Sequence, residues 1–291
     1  MILVLADDFT GAAEIVGIAN RFGLDTELRI DDFSESAADA LVVDTNTRSC
    51  SSDLADKKLQ QILSDLKMNP DWIFKKTDSV LRGHVRNEIV QIMKRFNREV
   101  CLLLPANPAK NRTISNGQYY INGTLLNHTA FAIDPEYPAK TADVLMLLGE
   151  SPDMAMCVKK TGQPFNQNGI VVCEAENSNN VQNWAGEWQE NMLAAGGAEF
   201  FESLLRKNGF FENSKIQEKN LPQNKTTLCV WGSSLKKDER VYSSFKKAGF
   251  EIVEIPIESG EVDTETLISK ATKMCLEKLK ETTIDVVILD I

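Results

Sequence analysis

The sequence predicts a doubly wound α/β fold, a mainly parallel sheet with helices on both faces. Three features carry this: short continuous Val/Ile/Leu runs, amphipathic segments alternating with them, and polar clusters where strand passes into helix. Strands are expected at Met1–Leu5, Leu41–Asp44, Trp72–Lys75, Val100–Leu104, Ile170–Cys173, Thr227–Trp231, Glu251–Ile255 and Asp285–Asp290. Uninterrupted apolar runs of this length suit strands covered on both faces. After Gly83, residues Val85, Ile89, Ile92, Met93 and Phe96 fall on one stripe at helical spacing, which predicts a helix with one buried face. Ser51–Met68 does the same with Leu54, Ile62, Leu63 and Leu66, and its Ser-Ser-Asp start predicts an N-cap.

From Asn208 to Lys225 the chain turns polar, with Asn213, Ser214, Asn220, Pro222 and Asn224. This predicts a domain over 1–209, a linker over 210–225, and a second α/β domain over 226–291 that reads strand, helix, strand, helix, strand. The second domain stops on a buried-type strand and is expected to be truncated. An unpaired sheet edge there would favour a homodimer.

Composition narrows the function. The 291 residues are 43% hydrophobic and 25% charged, which is ordinary for a globular protein. A net charge of −10 argues against a general affinity for nucleic acid or anionic membrane, but not against an anionic small ligand held by a local basic cluster. The six cysteines are scattered without any C-x-x-C, so reduced thiols are expected rather than a disulfide frame, and no metal site is read. No basic region precedes Met1–Leu5, and no apolar run approaches the ~20 residues of a membrane span. A soluble cytoplasmic protein is expected.

Ligands of such sheets bind beyond the carboxyl ends of strands. Three polar clusters occupy that position. Ala6–Ala12 offers helix N–H groups to an anion, and Asp7 and Asp8 as hydroxyl acceptors, with Thr10 beside them; a plain N-cap is the bland alternative. Lys75–His84 packs Lys76, Asp78, Ser79 and Arg82 into one loop, where Lys76 and Arg82 suit a carboxylate and Asp78 a hydroxyl or a proton. A solvated loop would not need Val80 and Leu81 in its middle. Pro105–Thr113 holds Asn107 and Arg112 in a loop shaped by two prolines. There is no Walker-type G-x-x-x-x-G-K-[ST] and no G-x-S-x-G elbow, and with only His84 and His128 a Ser-His-Asp triad is not supported.

These residues in this order resemble the four-carbon acid sugar kinase family. The match rests on ADDFTGA (6–12), KKTDSVLRGHVRNEI (75–89), PANPAKNRTISNGQYYING (105–123) and Asp134-Pro135, with weaker likeness at Val171–Asn180 and Ala195–Phe200. The resemblance implies ATP- and Mg²⁺-dependent phosphorylation of a terminal hydroxyl on a tetronate or 3-oxo-tetronate. It implies an acid-sugar site lined by Asp8, Lys76, Asp78, Ser79, Arg82, Asn107 and Arg112, with Asp8 or Asp78 as the base. It further implies a nucleotide contact at Gly232, Ser233 and Ser234, where Leu235 replaces the second Ser of the family's Gly-Ser-x-Ser. Glu174-Ala175 stands for the family's Asp-Ala, and the family's later glycine-rich phosphate elements have no counterpart. Two readings stay open: a kinase, represented here by a fragment or completed by another chain, and a truncated homologue that binds a sugar acid without phosphorylating it.

Overall fold

Eight parallel strands form the main sheet, in the order β2-β3-β1-β4-β11-β5-β10-β9. The structure, a computed structural model, describes residues 1–30, 36–67, 69–149, 154–165, 168–212, 227–231, 239–249, 251–254, 264–280 and 286–290. In chain order the first half runs β1 (Ile2–Ala6), α1 (Phe9–Arg21), β2 (Thr26–Arg29), β3 (Ala40–Asp44), α2 (Ser52–Asp65), β4 (Trp72–Lys76), α3 (Val85–Arg95) and β5 (Val100–Leu104). An antiparallel sheet follows, β6 (Arg112–Ser115), β7 (Gln118–Ile121) and β8 (Thr124–Leu125), then α4 (Val144–Leu148) and β9 (Met156–Lys159). The unit ends with β10 (Gly169–Cys173), α5 (Ser178–Glu187), β11 (Leu193–Gly196) and α6 (Ala198–Lys207).

β1, β3, β4 and β10 are buried along their whole length, as their continuous apolar runs predict. Consecutive strand residues face opposite ways. In β4, Lys75 reaches Glu88 on α3 while Lys76 reaches Glu14 on α1, so these helices cover opposite faces. Trp72 and Phe74 share the α1 face, where they stack on Phe200 and Phe201 of α6. The α3 stripe is buried at Val85, Ile89, Ile92 and Met93. α2 is shorter than the expected Ser51–Met68, and Leu54 is 47% exposed rather than on the buried stripe, which runs through Ala55, Leu59, Ile62 and Leu63.

β2, β9, β11 and the β6–β8 sheet were not expected from the sequence. β11 consists of Leu193, Ala194, Ala195 and Gly196 and slots between β4 and β5. Its small side chains carry no strand propensity of their own, and tertiary burial decides it.

The chain divides into two compact units, Met1–Ile216 and Gln217–Ile291. The second contains β12 (Thr227–Trp231), α7 (Glu239–Lys247), β13 (Glu251–Glu254), α8 (Thr264–Leu279) and β14 (Val286–Asp290), with a parallel sheet ordered β12-β14-β13. Among the described residues five cysteines are free. No helix among them is long and apolar enough to cross a membrane.

Candidate functional site

The carboxyl ends of β1, β3 and β4 lie side by side, with Ala6 in register with both Asp44 and Lys76. The chain leaves β1 toward β2 on one side and later returns to β4 on the other, so this is a switch point where an open α/β sheet forms its crevice.

Asp8 caps α1, its Oδ1 accepting from Gly11 N at 2.9 Å. Gly11 is tightly confined, because a Cβ there would come within 2.7 Å of Asp8 Oδ1 and 3.3 Å of Lys76 Cγ. The N-cap named as the bland alternative is therefore present, but it is only part of what Asp8 does. The loop after β3 wraps the end of β1: the N–H groups of Thr47 and Arg48 both donate to the Asp7 carbonyl at 3.1 Å. This delivers the Arg48 guanidinium between two carboxylates. Nε and Nη2 donate to Asp7 at 2.7 and 3.1 Å, and Nη1 and Nη2 donate to Asp8 at 2.5 and 2.9 Å. Asp78 Oδ1 lies 3.9 Å further on. Burial works against the Arg48 charge, but Asp7 first, then Asp78 and Asp8, outweigh it and hold the guanidinium protonated well above its ordinary range.

Asp78 organises the next loop. Its Oδ2 accepts from the N–H groups of Val80 and Arg82 and from Arg82 Nε, while Oδ1 accepts from Arg82 Nη2 at 2.9 Å. Arg82 Nη1 donates to Asp134 at 3.1 Å, so the whole Arg82 fork is engaged by carboxylates. The Asp134 carboxyl is held low, chiefly by the Tyr137 N–H, with Glu136 N–H and Arg82 adding to it. Val80 and Leu81 are buried, and Leu81 sits at φ 65, a left-handed conformation costly for a bulky residue.

Lys75 and Glu88 are both buried, with Nζ and Oε2 at 2.8 Å. The approach is oblique, so these atoms form an ion pair without a well-directed hydrogen bond. The Thr47 hydroxyl donates to the other Glu88 oxygen. Asp44 is raised, first by burial and then by the neighbouring charges of Asp8 and Asp7, against the Asn46 N–H and Lys75.

Arg112 differs from these cations. At the start of β6 it exchanges backbone hydrogen bonds with Asn107, donates through Nη1 to the Ser79 hydroxyl, and stacks over Phe131 at 6.0 Å. Among the described residues it has no carboxylate within 4.0 Å. Asn107, bridged to it through the backbone, has a buried Oδ1 without a hydrogen-bond partner among those residues, as have Tyr119 Oη, and Thr77 Oγ1 two residues before Ser79. Burial pushes the Tyr119 hydroxyl well above its ordinary value, and Arg112 and Asp78 are near enough to act on it.

The structure thus brings together Asp7, Asp8, Asp78, Ser79, Arg82, Asn107 and Arg112 at one sheet end. Lys76 turns toward α1 instead, and Thr10 is exposed on the first turn of that helix. Gly232, Ser233 and Ser234 lie outside the described residues. The sequence reading did not single out Arg48, Thr77, Glu88 or Tyr119. Arg48 carried a signal: Thr45-Asn46-Thr47-Arg48 is a polar loop directly after a buried strand, the pattern that located the other clusters. A groove of about 290 Å³ adjoins this network between Arg82, Phe131 and Tyr137. No group of three or more metal-ligating side chains occurs among the described residues.

Residues 2–204 match the family described as the sugar-binding N-terminal domain. The chain belongs to that family. The curated proteins it resembles include tetronate kinases. One is a D-threonate kinase of Salmonella typhimurium, 31% identical over 157 residues, or 52% of this chain and 37% of the relative. Another is a 3-oxo-tetronate kinase of Brucella melitensis, 26% identical over 227 residues, or 70% of this chain and 52% of the relative. The matched region therefore spans between about a third and a half of these relatives. A solved structure from Salmonella typhimurium LT2 shares the fold with a TM-score of 0.77 at 18% identity, covering 99% of this chain and 74% of that one. A Bordetella bronchiseptica structure of the DUF1537 family, a domain-swapped dimer with bound citrate, gives a TM-score of 0.62 at 20% identity, covering 99% and 72%.

Proposed function

We propose that unit Met1–Ile216 binds a four-carbon sugar acid whose carboxylate sits on Arg112, in an enzyme that phosphorylates the acid's terminal hydroxyl. The observation that carries this reading is the unmatched chemistry around Arg112. Its guanidinium has no carboxylate among the described residues, and the buried oxygens of Asn107, Thr77 and Tyr119 are unsatisfied. Buried polar atoms are almost always paired, so these oxygens, with a guanidinium that has no carboxylate among the described residues, fit a small acid bearing hydroxyls. Arg82 is the weaker candidate, because Asp78 and Asp134 already neutralise it.

The same geometry favours Asp8 over Asp78 as the base. Asp78 is saturated by Arg82 and by two N–H groups, and although burial would raise its carboxyl, Arg82 and then Arg48 hold it below the usual range. It serves as a loop organiser. Asp8 is also engaged, by Arg48 and the Gly11 N–H, but it is 26% exposed where Asp78 is 8%, so it is the carboxylate open enough to orient the acid's terminal hydroxyl and receive its proton. In this reading ATP supplies the phosphoryl group and Mg²⁺ its counter-charge. Gly232, Ser233 and Ser234 remain the proposed nucleotide contacts, and no step is derived through them. The citrate of the Bordetella bronchiseptica structure is a small hydroxy acid, which agrees with the ligand class. The domain swap of that protein likewise makes a homodimer a reasonable proposal here.

Calorimetric titration with D-threonate and 3-oxo-tetronates tests the acid site. Arg112→Ala is expected to weaken binding about ten-fold or more, the cost of a charge-assisted contact. Unchanged affinity in that variant would overturn the placement. Turnover is tested by release of nucleoside diphosphate with the same acids: Asp8→Asn should lose turnover while still binding acid.

A further inference from the structure

Five charged groups alternate in sign from α3 to the start of α1. Glu88 Oε2 faces Lys75 Nζ at 2.8 Å, and Lys75 Nζ stands 3.8 Å from Asp7 Oδ1. Asp7 takes Arg48 Nε at 2.7 Å, and Arg48 in turn holds both oxygens of Asp8. The Thr47 hydroxyl donates to Glu88 Oε1, while the N–H groups of Thr47 and Arg48 donate to the Asp7 carbonyl. These bonds close the series into a circuit. Thr45 packs on it, its hydroxyl 2.9 Å from the Ala6 carbonyl and 2.8 Å from Thr47 Oγ1.

Burial deepens along the series toward α3. Asp8 is 26% exposed and Arg48 15%, whereas Asp7, Lys75, Glu88 and Thr47 are buried. Desolvating such ions is costly, and apolar side chains of like volume usually hold a buried layer as well or better. Stability alone therefore does not account for Glu88 and Lys75. What they supply that apolar residues could not is a fixed direction. The Thr47 hydroxyl needs an acceptor at one point on α3, and α3 is a firm support because Ile89, Ile92 and Met93 bury it. Thr47 is one peptide bond from Arg48, so a shift of Thr47 carries the guanidinium with it. Lys75 compensates the charge of both Glu88 and Asp7, which lets the two carboxylates stay ionised in a buried layer.

We propose that Glu88 and Thr47 are positioning residues, acting through Arg48 to set the angle at which Asp8 meets the acid's terminal hydroxyl. Angle matters there because a hydrogen bond weakens steeply when misaligned. The inference rests on the reading of Asp8 as the carboxylate that receives that hydroxyl.

The test needs no turnover. Calorimetric titration of the full chain compares D-threonate with the 2,3-dihydroxybutanoate of the same configuration, which lacks only the terminal hydroxyl. The native chain is expected to prefer D-threonate about ten-fold, the scale of one hydrogen bond to a charged group. Thr47→Val removes the hydroxyl and keeps the branched shape. It should cut the preference to about two-fold or less while leaving the affinity for the deoxy acid unchanged. Thr47→Ser retains the donor and should retain the preference. Lys75→Met combined with Glu88→Leu removes the acceptor and restores an apolar layer, so that variant should fold, as urea unfolding checks, and still lose the preference. A preference kept in full by Thr47→Val or by the double variant overturns the inference. So does an equal loss of both acids in Thr47→Val, which is the mark of a merely structural role. Failure of the Asp8 reading looks different: the preference would be absent from the native chain, or would survive Asp8→Ala.

Discussion

Asp7, Asp8 and Asp78 are adjacent acidic groups that differ in what surrounds them. Asp78 has its oxygens filled by Arg82 and the loop backbone, so its ionised form is built into the folded state. Its folded pKa is depressed relative to an unfolded value near 4. The stabilisation it gives is therefore fully present above pH ~4 and is lost as pH falls through the lower folded value. Acid-unfolding curves should show a loss of stability below about pH 4 that is smaller in Asp78→Asn. Identical acid sensitivity in that variant would place the stabilisation elsewhere. The identity of these carboxylates was legible in the sequence, since each follows a buried strand. The division of labour among them was not, because it is imposed by Arg48, which reaches Asp7 and Asp8 from 40 residues away along the chain.

Elements meet at this site through contacts that admit little change. Gly83 turns the chain into α3 at φ 88, and a Cβ there would stand 3.3 Å from Asp7 Oδ2 and 3.4 Å from Arg48 Cγ. Gly83→Ala should lower stability by about 1–3 kcal/mol in urea unfolding, since backbone strain and displacement of the Asp7–Arg48 pair act together. A change under about 0.5 kcal/mol, the size of an ordinary surface effect, would show that the turn relaxes freely. Lys75 and Glu88 join β4 to α3 in the buried layer. Lys75→Met leaves Glu88 charged and unpaired and should cost about 3–5 kcal/mol, whereas adding Glu88→Leu should recover much of it. The long elements were legible because hydrophobic period and turn residues agree. The β6–β8 sheet was written just as plainly: Asn116-Gly117 and Asn122-Gly123 are two-residue turns with positive φ at both positions, the preferred hairpin chemistry. That turn signal lies within 105–123, the stretch that also carries the family resemblance. β11 offered no comparable signal, because Leu-Ala-Ala-Gly becomes a strand only where Gly196 lets it close on β5, with a Cβ there meeting Leu104 O at 2.0 Å.

At the scale of the whole chain, every site residue that the structure places lies in unit Met1–Ile216. The polar run expected as a linker, 210–225, brackets the division after Ile216, but polarity alone says nothing about which unit holds the chemistry. Strand order was out of reach for a similar reason, since placing β11 between β4 and β5 depends on contacts distant in sequence. The core around Trp72, Phe74, Phe200 and Phe201 closes within the first unit, and α6 is its last element. A unit with its own closed core has what it needs to fold alone. A chain ending at Glu212 is therefore expected to melt in one cooperative transition, within about 4 °C of the full chain, the shift produced by ~1 kcal/mol at this size. It should also bind D-threonate with an affinity within about three-fold of the full chain, a difference below ~1 kcal/mol. Melting and calorimetry on the same preparation separate the two ways this can fail. A chain that does not fold would make the second unit part of the core's stability. A chain that folds but no longer binds acid would mean that a residue beyond Glu212 completes the carboxylate site.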